Sequence, residues 1–159
     1  MSVVSNQQAE IKPHIFEKIS IMKTTMDKMM AFHKAPEALP TLTPPPIFVQ
    51  LHRDERTSLT GGELEFTLWF GPIPIRWVAR HEEGPTETSF VDYQVSGPMA
   101  HWRHEHIFEE VDGGIKLIDR IAIAHKPGLT GLLTRLVFDG MPLHIFFFYR
   151  HLRTRLAVK

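Results

Sequence analysis

From Ile47 to Ala124 the chain alternates short apolar runs with glycine- and proline-marked turns. Gly61-Gly62, Gly71-Pro72, Glu83-Gly84-Pro85, Gly97-Pro98 and Asp112-Gly113-Gly114 punctuate it. The connections are short, so neighbouring strands are expected to pair as antiparallel hairpins. A further strand is expected over residues 13–23, where Ile15, Ile19 and Ile21 share a face. After it Thr24 and Thr25 offer a helix cap, and Met26, Met29, Met30 and His33 recur at helical spacing. Pro36 and Pro40 break that helix, and Thr43-Pro44-Pro45-Pro46 forces an extended connection.

Charge fixes the expected register. An Asp112-Gly113 turn sets Glu109 opposite Lys116, Ile107 opposite Ile118 and Glu105 opposite Arg120, a pattern that cross-strand pairing favours. A Gly71-Pro72 turn sets Glu63 opposite Arg80, and a Gly97-Pro98 turn sets Asp92 opposite Arg103. With these charges outside, alternation turns Leu64, Phe66, Leu68, Phe70, Ile73, Ile75 and Trp77 inward. It does the same for Val91, Tyr93 and Val95, for Trp102, His104, His106 and Phe108, and for Leu117, Asp119, Ile121 and Ile123. The inner wall is apolar except for His104, His106 and Asp119.

The last third reads as helix. Leu129, Leu132, Leu133, Leu136 and Val137 keep a 3.6-residue period, Gly140 and Pro142 interrupt it, and Ile145, Phe148, Tyr149, Leu152 and Leu156 continue an apolar face. Phe146 and Phe147 make one turn apolar nearly all round. A sheet with one apolar face needs a cover, and this helix is the element long enough to supply it. The layout is α+β: a curved antiparallel sheet of about seven strands around a long C-terminal helix, with short helices between strands one and two. Residues 1–11 read as a disordered tail and residues 12–159 as one domain.

Composition narrows the function. The 159 residues carry 18 basic and 18 acidic side chains, a net charge of zero that argues against a nucleic-acid partner. The absence of cysteine excludes disulfides, thiolate metal sites and cysteine nucleophiles. Met1 to Glu10 lacks the pattern of a targeting signal, and no apolar run is long enough to span a bilayer, so a soluble cytoplasmic protein without membrane insertion is expected.

The order of elements resembles the START-like, or SRPBCC, superfamily of helix-grip domains. The resemblance rests on Leu42-Thr43-Pro44-Pro45, Gly71-Pro72 with Arg76-Trp77, and Phe90-Val91-Asp92 followed by Gly97-Pro98. It also rests on residues 102–108 (Trp-Arg-His-Glu-His-Ile-Phe), residues 117–120 and Phe148-Tyr149-Arg150-His151. Together these cover most of residues 36–152 and resemble small bacterial ligand-binding, polyketide cyclase/dehydrase-like members. The superfamily includes lipid carriers, hormone receptors, aromatic cyclases and oxygenase domains, so it implies the fold more strongly than an activity. Lys126 to Gly131 departs from the Pro-Phe-Gly-Pro-Leu-Gly pattern of related sequences, which puts the form of the cavity mouth in question.

Three readings of the polar island stay open. It is a buried hydrogen-bond network satisfied under the helix with Arg150 or His151, a recognition point for a ligand, or an acid–base pair. In the last, Asp119 orients His106 for proton transfer in a cyclisation, dehydration or isomerisation. The ligand is expected to be a small hydrophobic molecule such as a lipid, polyketide or aromatic metabolite, contacted by Trp77, Tyr93, Trp102, Phe108 and Phe148 and oriented by His104, His106 and Asp119. No cofactor and no metal are expected. His52, His81, His101, His125 and His144 are expected mostly at the surface or in loops. A third function, homodimerisation through the phenylalanines at 146–148, also remains open.

Overall fold

In the computed structural model, which describes residues 11–159, eleven elements run from His14 to Ala157. They are β1 (His14–Met22), α1 (Met26–Lys34), α2 (Ala38–Leu42), β2 (Ile47–Asp54), β3 (Glu63–Phe70), β4 (Ile73–Glu83), β5 (Ser89–Ser96), β6 (Met99–Val111), β7 (Gly114–His125), α3 (Gly128–Phe138) and α4 (Gly140–Ala157). The expected tail falls almost wholly outside the described residues. The strands form one antiparallel sheet in the order β1-β7-β6-β5-β4-β3-β2. The sheet curves around the C-terminal helix, giving the expected α+β helix-grip layout.

Two hairpins take the register that charge predicts. Glu109 faces Lys116, Ile107 faces Ile118, Glu105 faces Arg120, and Glu63 faces Arg80. Ion pairs close at Lys116–Glu109, Arg120–Glu105 and Arg80–Glu63.

The β5–β6 hairpin departs from expectation by one residue. Asp92 stands opposite His104 rather than Arg103, and Arg103 pairs with Tyr93. A one-residue slip sends every side chain of a strand to the other face. Asp92 therefore points inward with Phe90, and Tyr93 points outward against His101. The ladder ends at Tyr93 because the Gln94 side chain takes over the pairing: its Nε2 donates to Met99 O and its Oε1 accepts from Met99 N, both at 3.0 Å. The connection is therefore longer than a two-residue turn.

The inward side chains form two apolar clusters. One joins Trp77, Trp102, Phe138, Leu143 and Phe147 beneath α3 and α4. The other joins Met22, Met29, Leu59, Phe90, Phe108 and Leu117 beneath α1. Thr25 caps α1 by accepting from Lys28 N, and Asp139 caps α4 by accepting from Gly140 N at 2.8 Å. The helix break falls at Asp139–Gly140, where Gly140 adopts φ +52°, and the two helices meet at a bend of 48°.

The phase of α4 differs from the apolar reading. Leu143, Phe147, His151 and Thr154 are buried, while Ile145, Phe148, Leu152 and Leu156 are exposed. Likewise Leu129, Leu132, Leu133 and Leu136 of α3 face outward, and Gly131, Thr134 and Phe138 face the fold. In β1 the isoleucines are exposed and Phe16 and Met22 are buried. Among the described residues no single helix is long and apolar enough to cross a membrane.

Candidate functional site

Between the sheet and α4 lies a cavity of ≈ 110 Å³. Its apolar wall comes from Phe66, Leu68 and Trp77 on β3 and β4, Trp102 on β6, and Phe138, Phe146 and Phe147 on α3 and α4. Trp77 and Trp102 meet edge to face with ring centroids 5.4 Å apart, and Phe138 packs against both. At one end the lining turns polar: Asp92, His104, His106, His81, His33 and Arg150 all border the cavity, and Arg56 lies there paired with Asp54.

Adjacent strands build the polar end. His104 and His106, two residues apart on β6, share a face and stack with ring centroids 3.7 Å apart. β5 places Asp92 on one side of them and β7 places Asp119 on the other. The aligned hydrogen bonds run diagonally: His104 Nε2 to Asp119 Oδ1 and His106 Nε2 to Asp92 Oδ2, both 2.8 Å. The directly opposed pairs also touch, His104 Nδ1 to Asp92 Oδ2 at 3.2 Å and His106 Nδ1 to Asp119 Oδ1 at 3.1 Å. His106 Nδ1 nevertheless lacks a well-directed hydrogen bond. Behind the rings, Asp119 Oδ2 contacts His151 Nε2 at 2.8 Å, and His151 Nδ1 lies 2.7 Å from Ser20 Oγ on β1. The buried face of α4 is polar at this level because the carboxylate beneath it requires partners.

Protonation follows from this packing. Burial alone would raise both carboxyls, but His104, with His106 and, for Asp119, His151, holds them well below the usual carboxylate range. Burial disfavours the imidazolium of His104, yet Asp92 and Asp119 outweigh it and its pKa is raised. His33 shows the opposite result. Desolvation, with the nearby charge of His106, lowers it to about 3, and its Nδ1 lies 2.9 Å from Met29 O. Burial likewise lowers His81. It also lowers Arg150, against the pull of Asp119 and Asp92, and Arg150 Nε is buried without a hydrogen-bond partner.

The expected site residues divide as follows. Trp77, Trp102, His104 and His106 border the cavity. Asp119 is buried one layer behind the imidazoles, and Phe108 packs into the second cluster against His33 rather than into the cavity. Tyr93 is on the outer face through the register slip. Phe148 is 60% exposed and lies under Lys18, so Phe147 takes the inward place expected of it. Of the phenylalanines at 146–148, Phe147 is buried, Phe146 borders the cavity and Phe148 alone is fully outward. His81 is not at the surface but in the lining. Asp92 and His33 border the cavity without having been expected there, whereas Arg150 and His151 were expected as partners of the polar island, and Arg150 borders the cavity while His151 bonds Asp119. The Met29/His33 spacing on α1 was a usable signal for His33, and Asp92 was hidden by the assumed turn length.

Asp92, His104 and His106 each offer one ligand atom, and these atoms lie within 4.8 Å of one another. The arrangement can orient a ligand through hydrogen bonds, exchange a proton with it, or hold a cation.

No family model and no curated protein matches the sequence. Solved structures do match in fold. A nucleoside-diphosphate sugar epimerase from Corynebacterium glutamicum aligns with 25% identity and a TM-score of 0.65 over 89% of this chain. This chain spans 28% of that protein's length. A START superfamily protein from Mycobacterium smegmatis aligns with 10% identity and a TM-score of 0.66, covering 91% of this chain and 97% of the other. The Zhui aromatase/cyclase from Streptomyces sp. R1128 aligns with 14% identity and a TM-score of 0.59, covering 91% and 90%.

Proposed function

We propose that this chain, whose fold is SRPBCC/START-like, binds a small hydrophobic molecule in the cavity between its sheet and α4. One observation carries the reading: the cavity has an apolar aromatic wall and a polar end where His104, His106, Asp92 and Arg150 converge. Ligand sites commonly combine a mostly apolar lining with a few fixed polar groups. Trp77, Trp102, Phe138 and Phe147 would hold the apolar body, and the histidines would engage its polar end, with Asp119 fixing their orientation. Tyr93, Phe108 and Phe148 have no part in this version. Native mass spectrometry of protein purified from its own host tests it. A retained small molecule, lost in Trp102→Ala, is the expected result. Apoprotein alone, with no uptake from a panel of fatty acids and aromatic metabolites, would refute it.

A second reading is acid–base catalysis of a cyclisation, dehydration or isomerisation. The observation favouring it is that both imidazoles border the cavity while a buried carboxylate backs them. His106 would exchange the proton, and Asp119, through His104 and His151, would keep the cluster in place. On this reading the wild type retains a product, and His106→Ala retains a precursor that differs by water or by bond arrangement. Identical retained molecules would eliminate catalysis by His106.

A further inference from the structure

We propose that Asp92, His104 and His106 form a binding site for a divalent first-row transition metal ion, open toward the cavity. The ligand set is two imidazole nitrogens and one carboxylate oxygen, the donor chemistry that suits Zn²⁺, Co²⁺ or Fe²⁺. His104 Nδ1 and His106 Nε2 lie 3.2 and 2.8 Å from the same oxygen, Asp92 Oδ2. Tetrahedral ligands at metal distances of about 2.1 Å stand roughly 3.4 Å apart, so the two nitrogen–oxygen separations need to lengthen by about 0.2 and 0.6 Å.

The surroundings have the layout of a metal site. The nitrogens turned away from Asp92, His104 Nε2 and His106 Nδ1, both face Asp119 Oδ1, at 2.8 and 3.1 Å. A carboxylate behind a ligating imidazole fixes its tautomer and ring orientation. Asp119 is itself held by His151, and His151 by Ser20, so the backing extends through β7, α4 and β1. Asp92, His104 and His106 border the cavity, whereas Asp119 and His151 do not. The ligating residues thus line the open space, and the supporting residues lie behind them. With neutral imidazoles, the two carboxylates outweigh Arg150, which among the described residues is the one cation of the lining without a carboxylate partner, because Arg56 is neutralised by Asp54. The cluster then carries a net negative charge that a divalent cation offsets. Three protein ligands leave a further coordination position, which an oxygen atom of a molecule in the cavity could complete. The proposal stands apart from the ligand reading, since an apolar molecule can occupy the cavity whether or not a metal is present.

Titration of the full, untagged, chelator-treated chain with Zn²⁺ and with Co²⁺ tests the site. The expected result is one equivalent bound, with Co²⁺ giving the visible absorption of a low-coordinate nitrogen–oxygen site. Asp92→Ala and His106→Ala each weaken Zn²⁺ binding by about 100-fold or more, Asp119→Asn weakens it by roughly 10–100-fold, and His101→Ala leaves it unchanged. Unaltered affinity in Asp92→Ala and His106→Ala, or no stoichiometric binding, would overturn the proposal. Should those variants fail to fold, nitrogen-15 spectra of the wild-type imidazoles decide. Zn²⁺ must move the ring signals of His104 and His106, and movement confined to other histidines would refute the site.

Discussion

Asp119 stands directly across the β6–β7 ladder from His106, yet its aligned hydrogen bond on that strand is to His104, 2.8 Å away and two residues along. Both side chains of that bond are 3–4% exposed. Removing one member of such a pair leaves the other charged or polar and buried without a partner. Asp119→Ala is expected to destabilise the fold by about 3–5 kcal/mol, measured by urea unfolding. A loss below about 1 kcal/mol would contradict the structural weight given to this carboxylate.

Phe147 and Phe148 are chain neighbours with opposite fates, 1% and 60% exposed. Phe147→Ala opens a void beside Phe16 and His104 and is expected to cost about 3–5 kcal/mol. Phe148→Ala, on the outward face, should fall within about 0.5 kcal/mol of wild type. Thermal or denaturant midpoints separate the two, and comparable losses would contradict the phase of α4.

Gly131 sits where α3 closes on the chain that precedes it. A methyl group there would come within 1.6 Å of the Lys126 carbonyl oxygen, which belongs to backbone and cannot swing away. Gly131→Ala is therefore expected to shift α3 and destabilise by more than about 1 kcal/mol, although alanine ordinarily favours a helix. Leu132→Ala beside it, on the exposed face, serves as the neutral comparison.

His33 supplies a pH signature. Desolvation first, and then the charge of His106 facing it from β6, lowers its pKa to about 3, with Asp119 acting in the opposite sense and Arg150 in the same sense. Below an ordinary value of about 6.5 the unfolded chain takes up this proton and the folded chain does not. The contribution is therefore complete at neutral pH and falls away as pH drops from about 6.5 toward 3. His33→Gln removes that dependence. Between about pH 7 and pH 5 the wild type should lose about 2 kcal/mol more stability than the variant. Equal losses, or a His33 ring signal that titrates near pH 6 in the folded protein, would contradict the buried neutral imidazole.

Strand content and two of the three expected hairpin registers are legible because turns and charges specify them locally. Glu109 facing Lys116 and Glu63 facing Arg80 follow from two turns and the preference for opposite charges. The β5–β6 register was not legible, because Gln94 ends that ladder with side-chain bonds to Met99 that no turn pattern encodes. From that one residue came both the misplaced Tyr93 and the missed Asp92. The phase of α4 was hidden for a different reason. Its buried stripe carries His151 and Thr154, chosen by a carboxylate on a distant strand, while its outward stripe is the more apolar of the two. Periodicity identifies which residues share a stripe, and the partner across the fold decides which stripe is covered.

The pairing of β1 with β7 also governs how the chain can fold. Each rung of that ladder joins residues about a hundred positions apart, as in the Glu17–Arg120 ion pair. During synthesis the first strand must wait, its edge unsatisfied, until nearly the whole sheet has emerged. Closing so long a loop comes before the contacts that reward it, so the rate-limiting event of folding should be the arrival of the last strand beside the first.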